Sequence, residues 1–296
     1  MRRLRSGALL LVVLGLFGMS LPALDLSLPT DYFKAYLATR ADLEGGQSVF
    51  YYSGKVYGFV PGERRTELFD IEGFTIVRLE ETEEGYRLLG KEAAFLKNPL
   101  TGEILSRWRN PYLNNRELPV IHIWNNPVNQ SLFYSEEELR FIRRLLPSQI
   151  LNDELVFYQD IFPFYDSPLP RSEYGHFSQS DTFQAAEFYQ YSVRMECLEA
   201  SDINNLPSRY SFTKVTPWLP FMSMADRPGS LMWVCRGYKL KGGFEELPEA
   251  VREFVMQHDP SFAFAPMEYS KPNTTSWSFF KKLQEAKPKP EDNLDF

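Results

Sequence analysis

From Val49 onward, apolar and polar residues alternate with a period of two, and the rhythm persists for most of the chain. Side chains on a strand point alternately to opposite faces, whereas a helix repeats its apolar face every three or four residues. The pattern predicts strands over residues 49–52 and 56–60, flanking Ser53-Gly54-Lys55 as a tight turn. It also predicts strands over 74–79 and 86–96, flanking Glu83-Glu84-Gly85, and over 104–108, after the Asn98-Pro99-Leu100-Thr101-Gly102 connection. Further strands are expected over 119–124, 154–162, 182–197, 210–215 and 231–240. The 182–197 run is long enough to wrap around a wall or to bend at a bulge. Short connections make neighbouring strands antiparallel, because a parallel pair needs a long crossover. The expected fold is mainly β: a lipocalin-like antiparallel barrel or strongly curved sheet with peripheral α-helices.

Helical spacing interrupts this rhythm in four places. Thr30-Asp31 is placed to cap a helix through Phe33, Tyr36, Leu37 and Leu43, ended by Gly45-Gly46. Ser135-Glu136-Glu137-Glu138 reads as a capping box before Leu139, Phe141, Ile142 and Leu145. Residues 248–258 and 274–286 complete the helical set. No internal repeat is visible at solenoid or propeller period.

The N-terminus reads as an export signal. Arg2, Arg3 and Arg5 form a positive region, residues 8–19 are apolar, and Leu21-Pro22-Ala23 ends in a small residue suited to cleavage. An uncleaved anchor is the alternative, and the choice between the general and twin-arginine routes stays open. The expected organisation is a signal over 1–23, one β-barrel-like domain over 24–286, and a disordered Pro-, Lys- and Asp-rich tail over 287–296. The expected destination is the periplasm or the cell exterior. After cleavage no apolar segment approaches the roughly 20 residues of a spanning helix.

Charge narrows the partners. The formal net charge is −7 and becomes −10 once the three signal arginines are removed. An acidic chain without basic clusters argues against nucleic acid. Aromatic residues make up 15% of the chain, which suits a large core or an aromatic cavity. The expected partner is a small apolar or aromatic molecule. Three scattered histidines and two cysteines outside any C-x-x-C pattern make neither a metal site nor a cofactor expected. Cys197 and Cys235 either form a disulfide or act as small buried hydrophobes.

Two aromatic stretches running into proline corners suggest a pocket rim. Arg107-Trp108-Arg109-Asn110-Pro111-Tyr112 offers Arg107, Trp108, Asn110 and Tyr112 as ligand-binding candidates. His122-Ile123-Trp124-Asn125-Asn126-Pro127-Val128-Asn129 offers Trp124, Asn125, Asn126 and Asn129. Tyr52, Gln184, Trp218 and Trp233 complete the ligand-binding set. Glu187 is the one carboxylate on a strand face that carries Phe183, Ala185, Tyr189, Tyr191 and Val193. A carboxyl there either acts as general acid or base, or pairs with a cation and locks the register. His122 is the second acid–base candidate, against a purely structural imidazole. Trp108, Trp124 and Glu187 are expected to face one interior space with His122 on its wall. The functional expectation is a small-molecule container. The alternative is a cofactor-independent isomerase, cyclase or hydrolase using Glu187 and His122.

At these residues the chain resembles a family of uncharacterised exported bacterial proteins catalogued as domain of unknown function 1838. The resemblance runs from Tyr51-Tyr52-Ser53-Gly54-Lys55-Val56-Tyr57-Gly58 through both aromatic stretches. It continues at Asp181-Thr182-Phe183-Gln184-Ala185-Ala186-Glu187, Trp218-Leu219-Pro220-Phe221-Met222, Asp226-Arg227-Pro228-Gly229 and Thr275-Ser276-Trp277. It implies membership and carries no catalytic role to transfer.

Overall fold

The computed structural model describes residues 24–199 and 203–286. The expected signal and tail therefore lie outside the described residues. Fourteen strands and seven α-helices are described. The strands are β1 (Gln47–Phe59), β2 (Thr66–Thr82), β3 (Gly85–Lys97), β4 (Arg107–Asn110), β5 (Arg116–Pro119), β6 (Ile123–Asn125) and β7 (Gln130–Leu132) in the first half. The second half holds β8 (Ser148–Leu151), β9 (Glu154–Ile161), β10 (Phe164–Asp166), β11 (Thr182–Gln184), β12 (Ala186–Arg194), β13 (Arg209–Thr216) and β14 (Ser230–Leu240). The helices are α1 (Pro29–Arg40), α2 (Glu136–Arg140), α3 (Ile142–Leu145), α4 (Arg171–Tyr174), α5 (Met195–Leu198), α6 (Glu249–His258) and α7 (Ser276–Glu285).

Ten strands form one antiparallel sheet in the order β6-β3-β2-β1-β14-β13-β12-β9-β8, with β7 also on β3. Two ribbons, β4-β5 and β10-β11, stand apart from it. Among the described strands no ladder joins β6 or β7 to β8, so the sheet is open by hydrogen bonding and does not close into a barrel. It is mainly β with peripheral helices, as the period-two pattern predicts.

Both faces of the sheet centre are buried, against different partners. One face carries Phe50, Tyr52, Ile71, Ala94, Tyr191, Tyr210 and Trp233 and packs with α1 in the larger core. The other carries Val49, Phe74, Ile76, Ala93 and Phe95 under Val251 and Val255 of α6. Helix α1 is buried on most sides; Tyr32 and Tyr36 each meet Phe157 of β9 edge-on, with centroids 5.4 Å apart. Its N-cap is Leu28 with no side-chain cap, and it ends at Arg40, so neither the expected Thr30-Asp31 cap nor the Gly45-Gly46 stop applies.

Other local expectations are met or corrected. Ser135 does form a capping box with Glu138, and Thr275 forms one with Ser278 at the start of α7. The expected turn at Ser53-Gly54-Lys55 is continuous strand within β1. A Cβ on Gly54 would lie 2.1 Å from the Val234 carbonyl oxygen, so glycine here permits close approach of β14 rather than a turn. The long expected strand over 182–197 breaks at Ala185 into β11 and β12, and its last residues form α5. Cys197 and Cys235 are both free, and burial pushes the Cys235 thiol up to about 12. Among the described residues no helix is long and apolar enough to cross a membrane.

Candidate functional site

One face of the sheet, Arg40 of α1 and the segment entering α7 line a half-open cavity of about 500 Å³. Both ends of the sheet contribute to its wall: Asn125 of β6 and Gln130 of β7 at one end, Gln159 and Ile161 of β9 at the other. Arg40, at the last turn of α1, spans the gap by donating to Gln159 Oε1 and Gln130 Oε1, each at 3.1 Å.

Cross-strand register lays down an aromatic floor. Tyr191 of β12 pairs with Tyr210 of β13, and Tyr189 pairs with Phe212. Their rings stack: Tyr191 and Tyr210 at 5.8 Å with an 11° interplanar angle, Tyr189 and Tyr191 at 6.1 Å and 7°. Tyr52 stands edge-on to Phe212 at 5.2 Å. Gly237 makes room for this layer, since a Cβ there would lie 2.4 Å from Tyr210 Cε1.

Two carboxylates interrupt the aromatic surface. Glu187 and Lys214 are direct register partners. Lys214 Nζ lies 3.5 Å from Glu187 Oε2, and Tyr189 donates its hydroxyl to that same oxygen at 2.6 Å. Burial disfavours the Lys214 ammonium, but Tyr189, Glu187 and Glu92 outweigh it and hold the amine well above its ordinary value. Lys214 is therefore a cation at neutral pH, a charge partner rather than an amine nucleophile. Glu92 of β3 receives the Tyr52 hydroxyl at 2.9 Å and Asn125 Nδ2 at 3.0 Å.

Two side chains that line this space each carry a buried polar atom with no protein partner. Tyr210 and Asn125 are each 8% exposed, and the Tyr210 hydroxyl and Asn125 Oδ1 are buried without a hydrogen bond. Buried polar atoms are nearly always bonded, so an unmatched pair lining one cavity is informative.

The structure gathers some of the expected site residues and disperses the rest. Tyr52, Asn125, Asn129, Glu187 and Trp233 line the cavity. Trp233 donates its indole N–H to Thr216 Oγ1 at 2.9 Å. Asn129 also ties the wall to the α7 approach, through Asn273 and the Ser270 carbonyl. Asn126 lies behind it, preceding a cis peptide to Pro127, and its carbonyl accepts from Thr274 Oγ1 at 2.6 Å.

Trp124 and His122 are on the far face, which corrects the expectation that they share an interior space with Glu187. Trp124 meets Phe95 at 5.3 Å and Phe262 at 5.0 Å. His122 lies edge-on to Phe95 and Phe254, and its Nδ1 accepts the Leu96 N–H at 3.2 Å. Burial first, then the neighbouring His258, lowers its pKa to about 4, so it stays neutral.

Trp108 is displaced as well. It packs on Phe69 at 4.8 Å and lines a separate outer groove with Arg107, whose guanidinium pairs with Glu117 at 2.7 Å. Asn110 is a structural cap, accepting from Tyr112 N and donating to the Met222 carbonyl, each at 2.9 Å. Tyr112 packs on Trp218, and Trp218 is anchored by Arg227 O at 3.1 Å. Gln184 is exposed on the small β10-β11 ribbon.

Arg40, Glu92, Tyr210 and Lys214 were absent from the expected set. For Lys214 a signal existed: Tyr210, Phe212, Lys214 and Thr216 form one period-two face. Arg40 and Glu92 gave none, because one ends a helix and the other reaches the cavity only through strand pairing distant in sequence.

The family model described as "Protein of unknown function (DUF1838)" matches residues 45–284, which include every strand of the main sheet. No curated protein matches the chain.

Proposed function

Because the chain belongs to that family of proteins of unknown function, membership brings no activity with it, and we propose from the geometry that this is an exported container for a small molecule. The ligand has a flat aromatic or apolar body. It lies in the cavity against the Tyr189–Tyr191–Tyr210 layer. One observation carries the reading: Tyr210 and Asn125, whose Oη and Oδ1 are buried without a hydrogen-bond partner, line a cavity of about 500 Å³ whose wall combines an aromatic layer with polar and charged side chains. Ligand pockets run to roughly 300–1,000 Å³, mostly apolar with a few placed polar groups, and this cavity has that size and composition. Export is supported by the N-terminal pattern of three arginines and a short apolar run. The enzyme alternative loses its support as a pair, since Glu187 and His122 lie on opposite faces of the sheet.

Native mass spectrometry of the protein recovered from its own cells tests the reading. One small molecule should accompany the folded chain, leave on denaturation, and be missing from Thr75→Trp, which fills the cavity beside Phe50 and Val77. An adduct retained undiminished by a folded Thr75→Trp protein would overturn it.

A further inference from the structure

The charges lining the cavity are not matched evenly. Glu187 and Lys214 face one another and neutralise one another. Arg40 and Glu92 remain without a contact ion pair: the direct hydrogen-bond partners of each are neutral, although Glu92 still acts on Lys214 at longer range. The Arg40 guanidinium donates to the Tyr36 hydroxyl at 2.6 Å and to Gln159 and Gln130 at 3.1 Å, and it lies 4.2 Å over the Tyr191 ring. Among the described residues no carboxylate lies within 4 Å of it. A guanidinium stays charged and has five N–H donors in a planar fork, so these three bonds leave donors over.

Glu92 is the mirror case. Among the described residues no cation lies within 4 Å of it. The Asn125 amide is oriented by this carboxylate, which can only accept, so its nitrogen faces Glu92 and its oxygen faces away. That oxygen is the orphaned acceptor, and it calls for a donor.

We infer that the ligand of this cavity is an organic acid that also carries a hydrogen-bond donor: Arg40 receives its anionic group, and Asn125 Oδ1 with Glu92 receives its amine or hydroxyl. The inference rests on the small-molecule reading above and adds the chemical class. A purely apolar ligand would displace water from Arg40 and Glu92 and offer neither a contact ion pair nor a further hydrogen bond, which is costly for each. A plain anion would answer Arg40 and leave the Asn125 acceptor orphaned. A molecule with both groups satisfies all of them. The bidentate match between guanidinium and carboxylate or sulfonate makes Arg40 the dominant selector.

Two fluorescent probes separate the class from the pocket. 8-Anilinonaphthalene-1-sulfonate and N-phenyl-1-naphthylamine share a flat aromatic body and an N–H donor, and only the first has an oxyanion. Titrated into the wild-type protein, the sulfonate should bind about tenfold tighter or more. Arg40→Met should bring the sulfonate down to the affinity of the neutral probe and leave the neutral probe unchanged. Equal affinities in the wild type, or equal weakening of both probes by Arg40→Met, would overturn the assignment of Arg40 as anion receptor while leaving the pocket standing. Failure of both probes to bind would overturn the pocket itself. If Arg40→Met does not fold, the wild-type preference decides the matter alone. Arg40→Lys, which keeps the charge and loses the fork, should then show an intermediate preference; full wild-type preference in Arg40→Lys would contradict the fork geometry.

Discussion

Replacing Glu187 by glutamine isolates the one contact ion pair in the cavity wall among the described residues. The amide is nearly isosteric and can still accept the Tyr189 hydroxyl now held at 2.6 Å. What it removes is the charge 3.5 Å from Lys214 Nζ. At an effective dielectric constant of 20, that attraction is about 5 kcal/mol before desolvation is counted. Stripping one partner from a buried pair costs about 3–5 kcal/mol, because the other charge is left stranded. The two side chains are 20% and 19% exposed, toward the cavity, which lets solvent screen them. Glu92 also continues to act on Lys214. The expected loss is therefore about 2–3 kcal/mol, below the fully buried range. For a domain of this size it corresponds to a fall of about 4–6 °C in melting temperature. Differential scanning calorimetry reads it directly. The double variant Glu187→Gln with Lys214→Met should recover much of the loss, since neither charge remains. A Glu187→Gln midpoint unchanged within about a degree, or a double variant worse than the sum of the single ones, would refute the argument.

Three further outcomes follow from other parts of the molecule. His122 is held neutral in the fold with a pKa near 4 against an ordinary 6.5, so the unfolded chain binds more protons between those values. Stability should thus fall as pH drops from 6.5 to 4, by up to about 3 kcal/mol, and His122→Asn should flatten that part of the urea-midpoint profile; an unaltered slope would contradict it. Gly237→Ala should cost about 1–3 kcal/mol, because its Cβ would lie 2.2 Å from the Tyr51 carbonyl oxygen and 2.4 Å from Tyr210 Cε1; a wild-type denaturant midpoint would exclude that crowding. N-terminal sequencing of the exported chain should begin at Leu24, and a chain beginning at Met1 would remove the signal reading.

Much of the sheet is legible in the sequence because local patterning and local turns agree there. The β2–β3 hairpin falls where the Glu83-Glu84-Gly85 turn interrupts the alternation, and β13 and β14 fall within a residue of expectation. What alternation cannot reveal is which face looks into the cavity when both faces are buried. Ala93 and Phe95 enter one core while Ala94 and Leu96 enter the other, so inward and outward residues are equally apolar. That ambiguity is why Trp124 was expected inside, when its neighbour Asn125 is the residue that faces the cavity. Trp108 was placed with Trp124 because each precedes an asparagine corner. The partner strand decides otherwise: among the described strands β4 pairs with β5 alone, whereas β6 joins β3. Glu187 was legible because its strand, β12, lies along the cavity with tyrosines on the same face. Its partner, Lys214, required the register between β12 and β13, which no local pattern contains.

The most direct test of the central claim is a crystal structure of the protein purified from its own cells without added ligand. The account predicts density for one flat molecule in the cavity, lying against Tyr191 and Tyr210, within hydrogen-bond distance of Asn125 Oδ1 and with an oxyanion at Arg40. A cavity filled by water bridging Tyr210 Oη and Asn125 Oδ1, or a side chain turned inward to occupy it, would contradict the claim that this space exists to hold a ligand.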